Sequence, residues 1–203
     1  MTFNTLRPFA SKVIEPLADF FIRYEVSPNA VSIISLICAF FAGVSFYYSP
    51  ASREFILLAG ILVILNSIFD ALDGVIARKS NKATPRGDFL DHVIDRYSDV
   101  FIICSIFFAG YAFWQVGVVA IVGVLLTSYL GTQAQALNLG RYYGGIMGRA
   151  DRLVVIILAA FGNFAFPVLI AGFSILGWAV ILIAVTSHVT AVQRIYYIWK
   201  ELR

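Results

Sequence analysis

Four aspartates near the middle of the chain are spaced so that they could act together on metal ions. Asp70 and Asp73 are three residues apart, and Asp91 and Asp95 are four residues apart. Residues with these separations share one face of an α-helix. Carboxylate oxygens are the ligands that hard divalent cations such as Mg²⁺ and Mn²⁺ prefer. Two ions bridged by shared carboxylates would form a clamp suited to phosphoryl chemistry.

Salt bridges offer an alternative explanation for the same acids. Arg78 and Arg96 could each neutralise one carboxylate at a helix end, which would leave an ordinary solvated loop between the two pairs. A zinc site is disfavoured, because the helical spacing predicts that His92 points away from the second aspartate pair, and His188 lies far along the chain. Zinc sites in proteins usually include several histidine or cysteine ligands.

The loop between the two aspartate pairs has residues suited to binding phosphate. Arg78 and Arg86 carry guanidinium groups, which pair with phosphate oxygens through two parallel hydrogen bonds. Gly74 and Gly87 permit a close approach of the backbone, and Thr84 adds a hydroxyl group. Beside a pair of metal ions, this loop predicts a diphosphate substrate.

The elements that carry these residues are predicted to be transmembrane helices. The chain has 203 residues, a mean hydropathy of +0.85 and only 13% charged residues, which excludes an ordinary soluble domain. Apolar runs of about 20 residues, the length that crosses the hydrocarbon core of a bilayer, recur along the chain and predict an all-α integral membrane protein. The six predicted spans are at about 30–49, 54–77, 89–110, 116–138, 152–171 and 174–196.

The N-terminal segment is predicted to lie on the membrane surface. Apolar and charged side chains alternate at helical spacing through residues 1–26, as in an amphipathic interfacial helix. Ser27 and Pro28 then have the residue types typical of an N-cap and a first helical position. The chain is therefore predicted to divide into a juxtamembrane helix, 1–26, and a six-helix membrane domain, 27–203.

Positive charge marks one end of the predicted bundle. If the N-terminus is cytoplasmic, six crossings leave only Arg53 of the fifteen lysines and arginines on the far side. An excess of Lys and Arg is typical of cytoplasmic loops. The prediction is a multi-pass protein of the cell membrane with both termini and the four aspartates at the cytoplasmic face. These four, Asp70, Asp73, Asp91 and Asp95, are called the acidic cluster. The net charge of +3 then reflects membrane topology, and no nucleic-acid partner is expected.

The segment 70–95 resembles the signature of the CDP-alcohol phosphotransferases, also called CDP-alcohol phosphatidyltransferases. It reads D-x-x-D-G-x-x-A-R-x(8)-G-x-x-x-D-x-x-x-D, with every fixed position occupied. The resemblance extends over the whole chain, since six transmembrane helices after an amphipathic juxtamembrane helix are also that family's architecture. It implies a phospholipid-synthesising enzyme that transfers the phosphatidyl or archaetidyl group of a CDP-lipid to the hydroxyl of a polar alcohol and releases CMP.

The resemblance also implies roles for individual residues. Asp70 and Asp91 would bridge two divalent ions, Mg²⁺ or Mn²⁺, while Asp73 completes one ion's ligands and Asp95 the other's. Asp95 would also be the general base that deprotonates the acceptor hydroxyl. The surface for the CDP moiety is implied to comprise Asn29, Ser32, Gly74, Arg78, Thr84 and Gly87.

Sequence around the signature indicates the acceptor. The stretches GDFLDHVIDRYSD, residues 87–99, and GGIMGRADRL, residues 144–153, resemble the branch of archaetidylinositol phosphate synthases and phosphatidylinositol phosphate synthases. A phosphorylated polyol, with myo-inositol phosphate favoured, is therefore the expected acceptor. That branch usually carries Lys or Arg at about Gly131 and Gln133, where this chain has neither. Glycerol phosphate remains the alternative acceptor.

Arginines outside the signature are candidates to bind the acceptor's phosphate, since guanidinium groups form bidentate bonds with phosphate. Ordinary positive-inside charge is the alternative explanation for each of them. Asp99, one helical turn beyond Asp95, is expected to pair with an arginine. The candidate phosphate ligands are Arg141, Arg149, Arg152 and Arg194.

Donor, assembly and other protein classes complete the expectations. CDP-diacylglycerol and CDP-archaeol are both candidate donors, because an apolar groove accepts either kind of tail. The stretches SYLGTQAQ, residues 128–135, and YYGGIMGRADRL, residues 142–153, together resemble an archaeal subgroup. The family resemblance implies a homodimer in the bilayer.

An ion-coupled transporter would explain buried acids but not the glycine and arginine spacing. An inactive scaffold is disfavoured because all four metal-binding acids are present.

Overall fold

The computed structural model describes residues 7–140 and 142–202, and in these ranges the chain folds into α-helices joined by short loops. Ile170 and Phe173 form an isolated β-bridge in the loop before the last helix. The helices are α1 Arg7–Arg23, α2 Pro28–Tyr48, α3 Glu54–Lys79, α4 Pro85–Phe108, α5 Trp114–Ala136, α6 Arg149–Ala165 and α7 Ile175–Glu201.

Serine or threonine side chains cap the N-termini of three helices. Ser27 accepts a hydrogen bond from the Ala30 amide at 3.2 Å, and Pro28 opens α2, as the sequence predicts. Thr84 caps α4 and Ser174 caps α7 in the same way. These caps satisfy backbone amides that have no partner inside the helix.

The fifth and sixth predicted spans differ from the helices observed. α6 ends at Ala165, although the predicted span continued to residue 171. Pro167 explains the difference, since a proline disfavours helical geometry at the residue before it, here Phe166. α7 continues to Glu201, five residues beyond its predicted end. No glycine or proline interrupts that last stretch of sequence.

The all-helical prediction is confirmed, and the described residues include four helices, α2, α3, α5 and α7, that are long and apolar enough to cross a membrane. Large apolar side chains such as Phe40, Tyr47 and Leu182 lie exposed along these helices. In water such surfaces would favour association, whereas in a bilayer they face lipid. α4 carries its charged residues between Arg86 and Asp99, and α6 has 17 residues.

Packing around α2 sets the position of α3 and α4. α2 packs against both of them, α3 packs against α6, and α5 packs against α7. Asn66 of α3 donates hydrogen bonds to the backbone carbonyl and the hydroxyl of Ser35 in α2, at 3.0 and 2.8 Å, and both residues are fully buried. A buried amide without these partners would cost free energy of folding, so this pair favours one register of α2 against α3.

α1 lies against the end of α3 that carries the aspartates. Ala18 is fully buried with Leu72 and Ile76, and the rings of Phe21 and Phe69 meet edge to face with centroids 6.4 Å apart. Lys79 and Asp19 form an ion pair at 2.8 Å. The predicted interfacial segment 1–26 therefore contains a helix, and its residues 1–6 lie outside the described residues.

Gly177 of α7 is predicted to tolerate no larger residue. A Cβ at this position would overlap the backbone carbonyl oxygen of Tyr111, and a backbone atom cannot move aside as a flexible side chain can. Gly177→Ala should therefore lower the free energy of unfolding by about 1–3 kcal/mol, as overpacking typically does. The melting temperature in detergent, followed by circular dichroism, measures this effect.

Gly162→Ala in α6 is the matched control. Its Cβ would meet only Ile175, at an ordinary 3.5 Å, and alanine favours helix more than glycine does. We expect an unchanged or raised melting temperature. Equal melting temperatures for the two variants would contradict the packing at Gly177.

Candidate active site

The turn between α3 and α4 brings the two aspartate pairs to one end of the bundle. Five residues connect the helices, Ser80 to Thr84, and the Thr84 hydroxyl accepts a hydrogen bond from the Gly87 amide at 3.1 Å. Asp70 and Asp73 lie in the last three helical turns of α3, before the connection, and Asp91 and Asp95 lie in α4, after it. α2 packs against both helices, and Asp73 of α3 and Asp91 of α4 line the same cavity.

One guanidinium nitrogen joins the two aspartate pairs. Nη1 of Arg149, the first residue of α6, lies 2.6 Å from Oδ2 of Asp70 and 2.8 Å from Oδ1 of Asp95. The sequence offered Arg78 and Arg96 as partners for the acids. Arg96 does contact Asp95, with Nη2 3.1 Å from Oδ2. The contact with Arg149 was not predicted.

Asp73 and Asp91, the other two acids of the cluster, have polar neighbours in α2 and α4. The Ser32 hydroxyl of α2 donates a hydrogen bond of 2.5 Å to Oδ2 of Asp73, which is 6% exposed. Asp91, His92 and Asp95 can each place one ligand atom within 4.8 Å of the other two. The expectation that His92 points away from the aspartates was wrong, because its Nδ1 lies 3.6 Å from Asp91. Successive residues on a helix diverge, but the long imidazole reaches back to its neighbour.

The donor set fits hard divalent cations. Four carboxylates supply only oxygen, which is the preference of Mg²⁺ and Mn²⁺ rather than zinc. Oδ1 of Asp70 is buried and accepts no hydrogen bond from the described residues. A buried carboxylate oxygen without a donor is costly, and a cation would satisfy it.

The six residues expected to bind CDP line one cavity. Its volume is about 370 Å³, and it lies between α2, the α3–α4 turn and α4, with Asp73 and Asp91 in its wall. A Cβ on Gly87 would come within 3.5 Å of Thr84 and Asn29, and one on Gly74 within 3.3 Å of Arg78. We call this space the α2–α4 cavity. The expected residues that line it are Asn29, Ser32, Gly74, Arg78, Thr84 and Gly87.

A second, smaller cavity of about 150 Å³ has Asp95 in its wall. We call it the arginine cavity, because four guanidinium groups line it. Thr127 and Gly131 of α5 and Tyr142 and Tyr143 of the following loop also line it. The arginines are Arg96, Arg149, Arg152 and Arg194. Arg141, the other arginine expected at the acceptor site, lies outside the described residues.

Asp99 pairs with an arginine, which confirms the expectation. Nη2 of Arg152 donates a hydrogen bond of 3.0 Å to Oδ2 of Asp99, and the two side chains are 3% and 2% exposed. Arg96 lies 3.9 Å from the same oxygen, and Nε of Arg149 lies 4.0 Å from Oδ1. One buried carboxylate therefore gathers three guanidinium groups beside the cavity.

Arg194 explains why α5 carries a glycine where a cation was expected. Its side chain donates hydrogen bonds to the carbonyls of Gly144, at 2.9 Å, and Thr127, at 2.6 Å. A Cβ on Gly131 would lie 2.7 Å from Nη1 of Arg194, so a lysine or arginine at 131 could not fit with Arg194 in place. The guanidinium of Arg194, from α7, therefore occupies the space beside Gly131.

Tyr142 was missed by the sequence reasoning. Its ring stacks on that of Tyr197 in α7, with centroids 3.8 Å apart and planes 6° apart. Tyr142 lines both the arginine cavity and an open surface groove. Tyr142 and Tyr143 open the glycine-rich stretch that resembles an archaeal subgroup, but that resemblance assigned no binding role to either ring. Only the packing of this loop on α7, with the Met147 amide donating to Thr190 at 3.1 Å, brings the ring to the site.

Comparison with known proteins identifies a family for this site. The CDP-alcohol phosphatidyltransferase family model matches residues 25–192. The archaetidylinositol phosphate synthase of Pyrococcus horikoshii is 29% identical over 98% of this chain and 97% of its own length.

Solved structures agree with this match. The crystal structure of Mycobacterium tuberculosis phosphatidylinositol phosphate synthase with CDP-DAG bound has a TM-score of 0.77 and 25% identity, and covers 93% of this chain and 94% of that one. The same protein in complex with manganese and citrate also has a TM-score of 0.77 at 25% identity, over 92% and 88%. This chain therefore belongs to the CDP-alcohol phosphatidyltransferase family of membrane-bound, phospholipid-synthesising transferases.

Proposed function

We propose that the protein transfers the phosphatidyl or archaetidyl group of a CDP-lipid to a hydroxyl of myo-inositol phosphate and releases CMP. The observation that carries this proposal is the arrangement of two cavities about one set of carboxylates. The α2–α4 cavity has Asp73 and Asp91 in its wall, and the arginine cavity has Asp95. A donor and an acceptor held in these cavities would meet at the acids.

The α2–α4 cavity is suited to the CDP part of the donor. Arg78 offers a guanidinium fork to the diphosphate, and Gly74 and Gly87 leave room for it beside the backbone. Asn29 and Ser32, from the first turns of α2, would meet the nucleotide. The Mycobacterium tuberculosis relative was solved with CDP-DAG bound, which supports the same donor class here.

The four aspartates are proposed to hold two divalent ions, Mg²⁺ or Mn²⁺. Asp70 and Asp91 would bridge the ions, Asp73 would complete the ligands of one, and Asp95 those of the other. Bound ions neutralise charge on the diphosphate and on the departing CMP. The Mycobacterium tuberculosis relative was solved in complex with manganese and citrate, which supports a divalent metal ion here.

Asp95 is proposed to take the proton from the acceptor hydroxyl. Its carboxylate faces the arginine cavity, so an acceptor anchored there by its phosphate can present a hydroxyl to it. The hydroxyl oxygen then bonds to the lipid-linked phosphorus, and the bond to CMP breaks. General bases placed in this way typically contribute 10²–10⁴ in rate.

The arginine cavity is proposed to bind the acceptor's phosphate through Arg149, Arg152 and Arg194. Nη2 of Arg149 and Nε of Arg152 are buried and have no hydrogen-bond partner among the described residues, so these donors suit an anion. The same arginines would bind the phosphate of glycerol phosphate. Inositol phosphate is preferred because both synthases named above make inositol phosphate lipids.

The membrane arrangement is proposed to comprise six spans, with α4 and α6 added to the four apolar helices, and α1 lying at the interface. This divides the chain into 1–26 and 27–203. Arg53 lies at the end of α3 opposite the aspartates, where it donates to the Phe164 carbonyl at 2.9 Å. Both termini and the active site are then cytoplasmic. We infer a homodimer from the family resemblance.

An acceptor panel tests the proposed function. Purified protein in detergent would be given Mg²⁺, CDP-diacylglycerol or CDP-archaeol, and one of myo-inositol phosphate, glycerol phosphate, serine or free inositol. We expect myo-inositol phosphate to give the fastest CMP release and a lipid product that retains the acceptor's phosphate, read by mass spectrometry.

Other outcomes would change specific parts of the proposal. A preference for glycerol phosphate would keep the reaction and replace the acceptor. A preference for free inositol or serine would contradict the phosphate-binding role of the arginines. Ion flux in proteoliposomes without any nucleotide requirement would favour the transporter instead.

A further inference from the structure

Arg149 stands between the acidic cluster and the arginine cavity, and its guanidinium serves both. Nη1 contacts the carboxylates of Asp70 and Asp95 at 2.6 and 2.8 Å. Nη2 and Nε are buried without a hydrogen-bond partner among the described residues. The side chain is 14% exposed and lines the arginine cavity. Nη1 therefore contacts the acids and Nε lies 4.0 Å from Oδ1 of Asp99, while Nη2 is available to a phosphate.

The oxygens that Arg149 contacts belong to the proposed metal ligands. A divalent ion bound by Asp70 and Asp95 would come close to Nη1, and like charges at such a distance repel strongly where water is scarce. A guanidinium and an ion therefore compete for these two carboxylates. The competition weakens metal binding as long as Arg149 keeps its position.

The neighbouring arginines are held differently. Arg152 bonds to Asp99, which is not among the proposed metal ligands, and Arg194 bonds to the backbone carbonyls of Thr127 and Gly144. Neither contact uses a carboxylate of the acidic cluster. A small rotation of Arg149 would carry its planar fork into the arginine cavity, where a phosphate can accept two hydrogen bonds from it.

We propose that Arg149 exchanges the carboxylates of Asp70 and Asp95 for the acceptor's phosphate, and so makes metal binding and phosphate binding mutually reinforcing. The inference rests on the proposed function, because it uses the metal and phosphate sites assigned there. By thermodynamic linkage, a phosphate-like anion that draws Arg149 away must raise metal affinity by the same factor as the metal raises anion affinity. Metal and acceptor would then both be bound in the site before the transfer reaction begins.

Manganese binding measures this coupling without reference to turnover. Free Mn²⁺ would be followed by electron paramagnetic resonance during titration of the purified, metal-stripped protein, with sulfate as the tetrahedral dianion and chloride balancing the ionic strength. We expect saturating sulfate to tighten Mn²⁺ binding to the wild type at least about fivefold, a size typical of coupled sites. Without sulfate, Arg149→Gln should bind Mn²⁺ at least about fivefold more tightly than the wild type does. Sulfate should then change the Mn²⁺ affinity of this variant less than twofold.

Arg23→Gln is the control for loss of one positive charge. Arg23 is exposed in the last turn of α1, at the same end of the bundle, and its loss should change Mn²⁺ affinity less than twofold. If Arg149→Gln does not fold, as judged by circular dichroism and gel filtration, the sulfate effect on the wild type still decides. An unchanged wild-type affinity in sulfate overturns the coupling, as does Mn²⁺ binding to Arg149→Gln that is no tighter.

Asp91→Asn separates this inference from the proposed function. If that variant keeps wild-type Mn²⁺ affinity, the metal site itself is misassigned and the proposed function fails with it. If Asp91→Asn loses Mn²⁺ but neither Arg149→Gln nor sulfate alters affinity in the way described, the metal site stands and only the role of Arg149 is wrong.

Discussion

Asp95→Asn should lower acceptor-dependent CMP release at least about a thousandfold while CDP-lipid binding stays measurable. The substitution removes the proposed base, a loss of 10²–10⁴ on its own, and it also removes one metal ligand. It leaves the residues of the α2–α4 cavity unchanged, so the donor keeps its site. Radiolabel transfer would give the rate, and retention of a labelled CDP-lipid by the purified variant would give binding.

Asp19→Asn is the matched control for this change. Asp19 is an exposed aspartate of α1 that pairs with Lys79 at 2.8 Å, and exposed pairs of this kind contribute about 0–1 kcal/mol. Its rate should stay close to that of the wild type. An Asp95→Asn variant that transfers lipid at near wild-type rates would show that another group takes the proton.

Asp91→Asn should have the second large effect, through loss of metal. It removes one negative charge and one ligand from the proposed bridge. Changes to groups that merely support metal ligands cost 10–100-fold in metal affinity or activity, so loss of a ligand should weaken Mn²⁺ binding by about a hundredfold or more. Paramagnetic resonance of free Mn²⁺ measures this directly.

His92→Gln tests whether the ligand set is made of carboxylates alone. His92 is the neighbour of Asp91 and shares a cluster with Asp91 and Asp95, so it is the residue best placed to be a fifth ligand. If the ions use only carboxylate oxygen, this variant should keep Mn²⁺ affinity within a few-fold of the wild type. An equal loss in both variants would make His92 a ligand and contradict the four-aspartate site.

The helices and the acidic signature could be predicted from sequence because they are local features. Hydropathy over about 20 residues and hydroxyl caps such as Ser27 placed the elements, and three- and four-residue spacings predicted the shared faces of the aspartates. The end of α6 was misjudged because Pro167 outweighs the apolar residues around it. Hydropathy, capping and residue spacing therefore predicted the helices that hold the site residues.

The contacts between distant residues could not be predicted in this way. Arg149 is far along the chain from Asp70 and Asp95, and no spacing rule connects helices α6 and α3. The role of Gly131 was also hidden, since its missing side chain makes sense only beside Arg194 of α7. Even His92, next to Asp91, was misplaced because helical spacing describes Cβ directions and not the reach of a long side chain.

Chelation tests the central claim most directly. CMP release would be measured in protein stripped of metal with a chelator, with CDP-lipid and myo-inositol phosphate present, before and after addition of Mg²⁺ or Mn²⁺. The proposed function predicts no release before addition, restoration by either ion, and no restoration when the donor or the acceptor is omitted. CMP release that continues in the chelator, or that needs no acceptor, would contradict metal-dependent transfer at these four aspartates.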